Sequence, residues 1–475
     1  MNPPATIWSP AYRSATVGLF SLAFLVAYSV SAITTAMPRA AHELHGLNLY
    51  GLAFAVTMAT SVVAMTFAAP WIERAGPGVA LMAGIAVDCA GLLVAAAAPT
   101  MEVLVAGRAV QGIGVGLEGV ALYVVIARVF PAAIRPKMFA TLSAAWVLPS
   151  IIGPAINGAV TDQFGWRWVF VTVPVVAVGA VALVRAGTRG ASMDAGETFD
   201  RADDDGQPGL SARTGSASGN SRATAPRSDF GTNSIWYRPL LALAAACAVL
   251  LLGDASLRAH PWWPGELAAA VVVLVLTAPK LLPRGTWLAR RGLPAVVLMR
   301  ALIGTAFTLG DVYLPLLMIQ QRAMPAWLAG LSLTVGGITW FAGSWLAGRG
   351  VMTPRLRLQL GAVALLLGVL VSALVVLPAV PVWVAWLGWC FSGLGIGISY
   401  PSLSVILLEL SAASEQGSNS SALQLNETLT TSALLGVVGA VFAALLSTGG
   451  LGFVVPFGLA AVLSLASVFV ARRAA

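Results

Sequence analysis

Long apolar runs follow one another along almost the whole chain and are separated by short polar segments. A helix needs about 20 mostly apolar residues to cross the hydrocarbon core of a bilayer, and by that measure the sequence predicts about fourteen membrane spans. The predicted fold is an all-α integral membrane protein. The spans are residues 14–37, 49–70, 79–98, 102–127, 138–160, 168–186, 238–257, 265–282, 293–320, 326–347, 358–379, 382–408, 418–446 and 451–471.

One polar segment divides these spans into groups. Residues 187–235 are rich in Gly, Ser, Asp and Arg and lack the apolar residues needed for a core, which predicts a disordered cytoplasmic linker. Residues 1–186 are therefore predicted to form one six-helix bundle, and residues 285–475 a second one. Residues 236–284 would supply two extra central helices. Because these two carry little polar side-chain chemistry, they are expected to lie outside the twelve-helix core.

Composition and charge narrow the class of protein. The chain of 475 residues is 58% hydrophobic and 10% charged, whereas soluble domains carry about 25% charged residues. The net charge of +8 does not indicate nucleic-acid binding, because most basic residues fall in short loops beside apolar runs. The loop charges predict cytoplasmic termini and a multi-pass protein of the cell inner membrane. No metal-ligand spacing and no phosphate-binding loop occurs in the sequence, so neither a metal, a cofactor nor an enzyme activity is expected.

Two segments of the chain show an internal repeat. Residues 108–116 align with residues 389–397, and both have glycine at the same alternating positions. This pattern predicts two halves related by a parallel repeat. The charges are not repeated, because Arg108 aligns with Trp389 and Glu118 aligns with a serine. An Arg near the bilayer centre costs from about 3 to more than 10 kcal/mol, so Arg108 and Glu118 are candidates for function and not for folding.

Three motifs resemble those of the major facilitator superfamily, and within it the drug/proton antiporters with fourteen helices. Residues 108–116 are similar to the family's fourth-helix motif, and residues 149–158 resemble the antiporter motif of the fifth helix. Residues 69–76 resemble the loop between the second and third helices. The resemblance implies a protein of two six-helix bundles and two extra helices that works by alternating access. We expect the protein to be monomeric. The residues predicted for the conformational switch are Glu73, Arg74, Gly76, Arg128, Gly153 and Pro154.

The loop motif departs from the family pattern at its end. Pro77 and Gly78 stand where basic residues are usual, and Arg128 stands where the fourth helix usually has an acid. We therefore expect a swapped ion pair between Arg128 and Glu73 at the cytoplasmic face. An exposed pair contributes about 0–1 kcal/mol, so it would act as a latch for one conformation.

A proton-coupled carrier needs a carboxyl whose protonation changes during transport. Burial away from water favours the neutral form of a carboxyl. The acids inside apolar runs are Asp88, Glu118, Asp254, Asp311 and Glu427. Asp254 is expected to be wetted or paired with Arg258, and Asp88 either pairs with Arg108 or takes part in coupling. Glu118 ranks first for the proton, Asp311 second and Glu427 third, with Arg108 assisting.

A polar band inside the predicted span 418–446 indicates a substrate site or hydrogen bonding between helices. The residues predicted to line a substrate cavity are Glu427, Asn426, Gln424, Trp146, Tyr400 and Trp389. The first span has no acid that would attract a cation. The preferred function is proton-driven export of small hydrophobic or amphipathic molecules. The alternatives are export of an endogenous lipid or metabolite, coupled uptake, a membrane enzyme, and a membrane sensor that does not transport.

Overall fold

A computed structural model describes residues 6–10, 12–131, 134–188, 237–257, 262–281, 285–349, 352–411, 416–446 and 450–474. Most of the predicted linker, from residue 189 onward, lies outside these residues. The described chain forms fourteen α-helices. They are α1 (Arg13–Glu43), α2 (Tyr50–Ala75), α3 (Pro77–Ala96), α4 (Met101–Val129), α5 (Arg135–Phe164), α6 (Trp166–Thr188), α7 (Tyr237–Leu257), α8 (Trp263–Leu281), α9 (Leu293–Arg322), α10 (Ala326–Gly348), α11 (Pro354–Ala373), α12 (Trp383–Leu410), α13 (Gln416–Ala444) and α14 (Leu451–Ala474).

The helices account for the apolar runs of the sequence. A helix bonds all of its backbone groups internally, which a segment in hydrocarbon requires because no water is present there. Within the described residues, ten helices are long and apolar enough to cross a membrane, namely α1–α4 and α9–α14. The prediction of an all-α, multi-pass membrane protein is therefore confirmed.

Two glycines allow the sharp connections in the first half. Gly76 joins α2 to α3 with a φ of 84°, and Gly165 joins α5 to α6 with a φ of 92°. Both angles lie in the region that side chains with a Cβ rarely adopt. Pro77 follows at the first position of α3, where its missing N–H costs no helical hydrogen bond. The Gly76-Pro77 pair thus ends one helix and starts the next within two residues.

Glycine contacts repeat between the two halves of the molecule. In each half, two adjacent antiparallel helices approach so closely that four glycines lie against the partner's backbone. These are Gly84, Gly91, Gly107 and Gly114 between α3 and α4, and Gly361, Gly368, Gly388 and Gly395 between α11 and α12. A Cβ on Gly91 would collide with the backbone of Gln111, and one on Gly368 with the backbone of Ser392. The repeat predicted from the fourth helix is therefore confirmed in the packing.

The two halves meet along two pairs of helices. At the first, α5 lies against α10, where Gly330 sits beside the carbonyl oxygen of Pro154 and Gly158 beside the backbone of Trp327. At the second, α2 lies against α13, where Gly51 faces Gly439. Small residues let the helix backbones approach closely at both places. The helix backbones at the interface thus approach each other as closely as the helix backbones inside each half.

The helices α7 and α8 lie beside the second interface. Helix α7 packs on α2 and α13, and α8 packs mainly on α7. Ala245 of α7 contacts Val62 of α2 and Leu429 of α13. The side chains of Val272 and Val275 on α8 are 54% and 64% exposed, as expected for a face turned to lipid. The pair therefore covers the side of the molecule at the α2–α13 contact.

Candidate functional site

Arg108 lies at the centre of a buried polar cluster in the first half. Its Nε donates to the carbonyl oxygen of Ala53 at 3.1 Å, and another guanidinium nitrogen donates to the side-chain oxygen of Gln111. Gln111 in turn donates to the hydroxyl of Ser29 at 3.2 Å. The guanidinium also lies 5.8 Å from the centre of the Phe54 ring. Neutral oxygen atoms of α2 and α4 thus solvate the cation, and Gln111 extends the cluster to α1.

Asp88 and Glu118 lie between α3 and α4. A Cβ on Gly84 would be 2.9 Å from Cγ of Glu118, which shows that this side chain points at α3. Asp88 is buried, and its Oδ1 has no hydrogen-bond partner among the described residues. Asp88 lies within electrostatic reach of both Arg108 and Glu118. In the repeat, Leu365 lies at the position of Asp88, so helix packing does not require these acids.

The pairing of Asp88 with Arg108 stays a prediction. The hydrogen bonds of Arg108 in the described structure go to Ala53 and Gln111, while Asp88 interacts with Gln111 and attracts the guanidinium electrostatically. The side chain of Glu118, which ranks first for the proton in the sequence prediction, faces α3. The physical reason is helical period: Glu118 lies one turn after Gly114, whose face is the one packed against α3.

Asp311 lies where the two halves meet. Its carboxyl group lies near Thr34 on α1, whose hydroxyl donates to the carbonyl oxygen of Val30. At the next residue of α9, the carbonyl oxygen of Val312 accepts a hydrogen bond from the Tyr50 hydroxyl of α2 at 2.7 Å. The rings of Tyr50 and Tyr313 meet edge to face at 5.7 Å. The surroundings of Asp311 are therefore built by both halves and depend on how they are arranged.

The second half holds a charge network that sequence reasoning missed in part. Nε of Arg300 on α9 donates to Glu427 of α13 at 2.7 Å. The guanidinium also lies 3.5 Å from the centre of the Tyr400 ring on α12, and the Tyr400 hydroxyl donates to the other carboxylate oxygen of Glu427. Gly304 makes room for this contact. The signal for Arg300 was present in the sequence, since it is the one basic residue inside the apolar span 293–320, whose other charged residue is Asp311.

The other residues predicted for a substrate cavity have different roles or lie outside the described part. Trp389 is 1% exposed and stacks inside the aromatic packing of the second half, so it does not line a cavity here. Asn426 is also buried and donates to the carbonyl oxygen of Val297 at 2.9 Å, which ties α13 to α9. Gln424 is exposed. The side chain of Trp146 lies outside the described residues.

The predicted switch residues at the loop motif are described only in part. Arg74 is exposed at the end of α2, and Arg128 is exposed at the end of α4. The side chain of Glu73 lies outside the described residues, so the expected latch between Glu73 and Arg128 stays a prediction. Gly76 has the positive φ that the turn after α2 requires.

The antiporter motif of α5 contacts both halves. Gly153 faces the hydroxyl of Ser31 on α1, which would be 2.8 Å from an added Cβ. One residue later, the carbonyl of Pro154 lies against Gly330 of α10. The motif therefore packs α5 against its own half on one side and against the opposite half on the other.

A carboxylate at the end of α5 completes this contact. Asp162 accepts hydrogen bonds from the backbone nitrogens of Ala326 at 3.2 Å and Trp327 at 3.0 Å, the first two residues of α10. Pro325 precedes α10 and provides no side-chain cap of its own. Asp162 thus caps a helix of the opposite half. Sequence reasoning missed it because an acid at a helix end, next to a loop, looks like an ordinary solvated residue.

Comparison with known proteins identifies the family. A family model for the Major Facilitator Superfamily matches residues 19–434, and the chain belongs to this superfamily. Members of this superfamily are membrane transporters and not enzymes. Among solved structures, a D-xylose-proton symporter superposes with a TM-score of 0.65 at 14% identity, covering 98% of each chain. A peptide transporter of the POT family gives 0.67 at 12% identity, covering 96% of this chain and 94% of that one. These likenesses show the fold alone.

Curated relatives match over shorter stretches. A probable multidrug-efflux transporter of Mycobacterium tuberculosis is 35% identical over 134 residues, which is 28% of each chain. The multidrug transporter protein MdtP of Bacillus subtilis is 28% identical over 183 residues, 38% of this chain and 34% of that protein. The MFS-type transporter ungB of Aspergillus violaceofuscus is 28% identical over 187 residues, 37% and 33% of the two chains. The matches thus span about a third of these relatives.

Proposed function

We propose that the protein is a proton-coupled exporter of small hydrophobic or amphipathic molecules, of the drug/proton antiporter type with fourteen membrane helices. The helices α7 and α8, packed beside α2 and α13, support the two extra spans. Two of the relatives described above are named as multidrug efflux transporters, which supports export. The observation that carries the proposal is Asp311, a carboxyl group inside the apolar span Leu293–Arg322, beside the Tyr50–Val312 hydrogen bond that joins the halves.

The contacts between the halves favour alternating access. The Asp162 cap on α10, the Gly51–Gly439 contact and the Tyr50–Val312 hydrogen bond all lie on the side where α5 ends and α2 begins. If both termini are cytoplasmic, as the loop charges indicate, this side is external. The structure then represents a state closed to the outside. Export requires these contacts to open while others form on the cytoplasmic side.

Asp311 is the better proton carrier on this geometry, ahead of Glu118. A coupling carboxyl must exchange its surroundings when access alternates. Asp311 meets α1 across the junction, so rocking of the halves changes what it contacts. Glu118 lies between α3 and α4 of one half, which move together as a packed pair. We therefore assign the proton to Asp311 and a supporting electrostatic role to Asp88, Arg108 and Glu118.

The test is transport in everted membrane vesicles with and without an imposed pH gradient. We expect accumulation of at least one of three probes, the neutral dye Nile red, the cationic dye ethidium or the anion naphthoate, when the vesicle interior is acidic, and loss of accumulation when an ionophore collapses the gradient. Accumulation that does not depend on the gradient would contradict proton coupling. Binding of dyes without any flux would favour the sensor, and accumulation in right-side-out vesicles would favour uptake.

A further inference from the structure

The network of Arg300, Glu427 and Tyr400 is placed to recognise a ligand as well as to hold helices. Its members come from α9, α13 and α12. Charges inside a membrane protein are expensive and usually serve a substrate or an ion. The side chains of Arg300 and Glu427 keep 15% and 22% of their surface exposed, so a solute can reach the pair.

The chemistry of the network selects for an anionic group. A guanidinium suits a carboxylate because its planar fork offers parallel N–H donors, and charge-assisted bonds of this kind are about twice as strong as neutral ones. Arg300 stays fixed because its plane rests on the Tyr400 ring at 3.5 Å. A cation would meet Glu427 already neutralised by Arg300. The first span, residues 14–37, offers no acid in its place.

The walls beside the network suit an aromatic body. Trp340 of α10 meets the Tyr400 ring edge to face at 5.6 Å, and Phe307 of α9 meets Trp340 at 5.5 Å. All three side chains are partly exposed. Aromatic pairs in this arrangement contribute about 0.5–1.5 kcal/mol beyond the area that they bury, so a further ring can extend the row.

We propose that this network binds the anionic group of an aromatic or amphipathic acid, with the ligand's carboxylate taking the place of Glu427 on Arg300. Released from Arg300, Glu427 keeps its hydrogen bond from Tyr400. The inference rests on the proposed function, because it names the substrate class of the same transporter. It adds Arg300 as the residue that sets specificity and makes Glu427 the internal competitor of the substrate.

The experiment measures binding of tritiated naphthoate to the detergent-purified protein, with naphthamide and naphthylmethylammonium as competitors of the same ring system. We expect naphthoate to bind at least about tenfold more tightly than naphthamide, the effect of one charge-assisted bond. In Arg300→Gln the preference should fall to within about twofold, and Arg300→Lys should keep part of it. In Glu427→Gln naphthoate should bind more tightly than in the wild type, because its competitor is gone.

The matched control is Arg167→Gln. Arg167 is exposed at the start of α6 and donates to the carbonyl of Ala98, so its loss should leave the naphthoate preference unchanged. Equal affinity for acid and amide in the wild type, or tighter binding of the amine, would overturn the inference. If Arg300→Gln does not fold, the wild-type preference and Glu427→Gln still decide the matter. Gradient-driven export of a neutral dye without anion preference would refute this inference alone, whereas anion binding without any export would refute the proposed function.

Discussion

The cap that Asp162 places on α10 gives the most quantitative prediction. Replacing a side chain that caps a helix N-terminus costs about 0.5–2 kcal/mol, and Asp162→Ala removes both bonds to Ala326 and Trp327. Because Asp162 is exposed and screened by salt, we take about 1 kcal/mol. In the proposed orientation, the cap exists only while the external side is closed. Its loss should therefore shift the closed-to-open ratio by about fivefold, since 1.4 kcal/mol corresponds to tenfold.

The assay is pulsed electron paramagnetic resonance between spin labels at positions 168 and 383. Trp168 lies in the first turn of α6 in the first half and Trp383 begins α12 in the second, and both are 58% exposed on the side of the Asp162 cap. The labels are attached in a background without native cysteines. Gln163→Ala is the matched control, because Gln163 is the exposed neighbour of Asp162 at the same helix end. Unchanged distance populations in Asp162→Ala, or an equal shift in Gln163→Ala, would refute the reasoning.

Two further predictions concern packing and charge. Gly91→Ala should destabilise the protein by about 1–3 kcal/mol because the new methyl group collides with the backbone of Gln111. In the control variant Gly119→Ala the new methyl group meets nothing within 4 Å, so the melting temperature should not change. Equal melting temperatures for the two variants would count against the tight α3–α4 contact. Arg108→Lys and Arg108→Ala should stay folded and lose gradient-driven export, because an ammonium does not reproduce the fork that joins Ala53 to Gln111. Normal transport by well-expressed Arg108→Ala would argue against a functional role.

Much of the fold follows from the sequence because the bilayer imposes simple rules. Apolar length predicts spanning helices, and the alternating glycines of the fourth helix predict a repeat in which helices touch. The repeated helix contacts are present in the structure, where Gly107 and Gly114 and their counterparts Gly388 and Gly395 lie against the backbone of the neighbouring helix. These properties depend on local composition, so they can be recognised in one chain without knowledge of its neighbours.

The site was harder to predict because it depends on which helices become neighbours. Helical period gives the face of a residue but not the helix that the face meets. Glu118 and Asn426 are polar residues inside spans, yet one faces α3 and the other bonds the backbone of α9. Arg300 does not stand out as a proton carrier, because a guanidinium keeps its proton. Asp162 could not be recognised, because its partners are backbone groups of Ala326 and Trp327, which carry no sequence signal.

The central claim, that Asp311 carries the coupled proton, is tested most directly by comparing two modes of transport in liposomes. Exchange of labelled for unlabelled substrate across the membrane needs the conformational cycle but no net proton movement, whereas uphill transport needs both. We predict that Asp311→Asn retains exchange and loses uphill transport driven by a pH gradient. The parallel variant Glu118→Gln should retain measurable uphill transport, because Glu118 lies within one half. Uphill transport by Asp311→Asn at the wild-type rate would contradict the account.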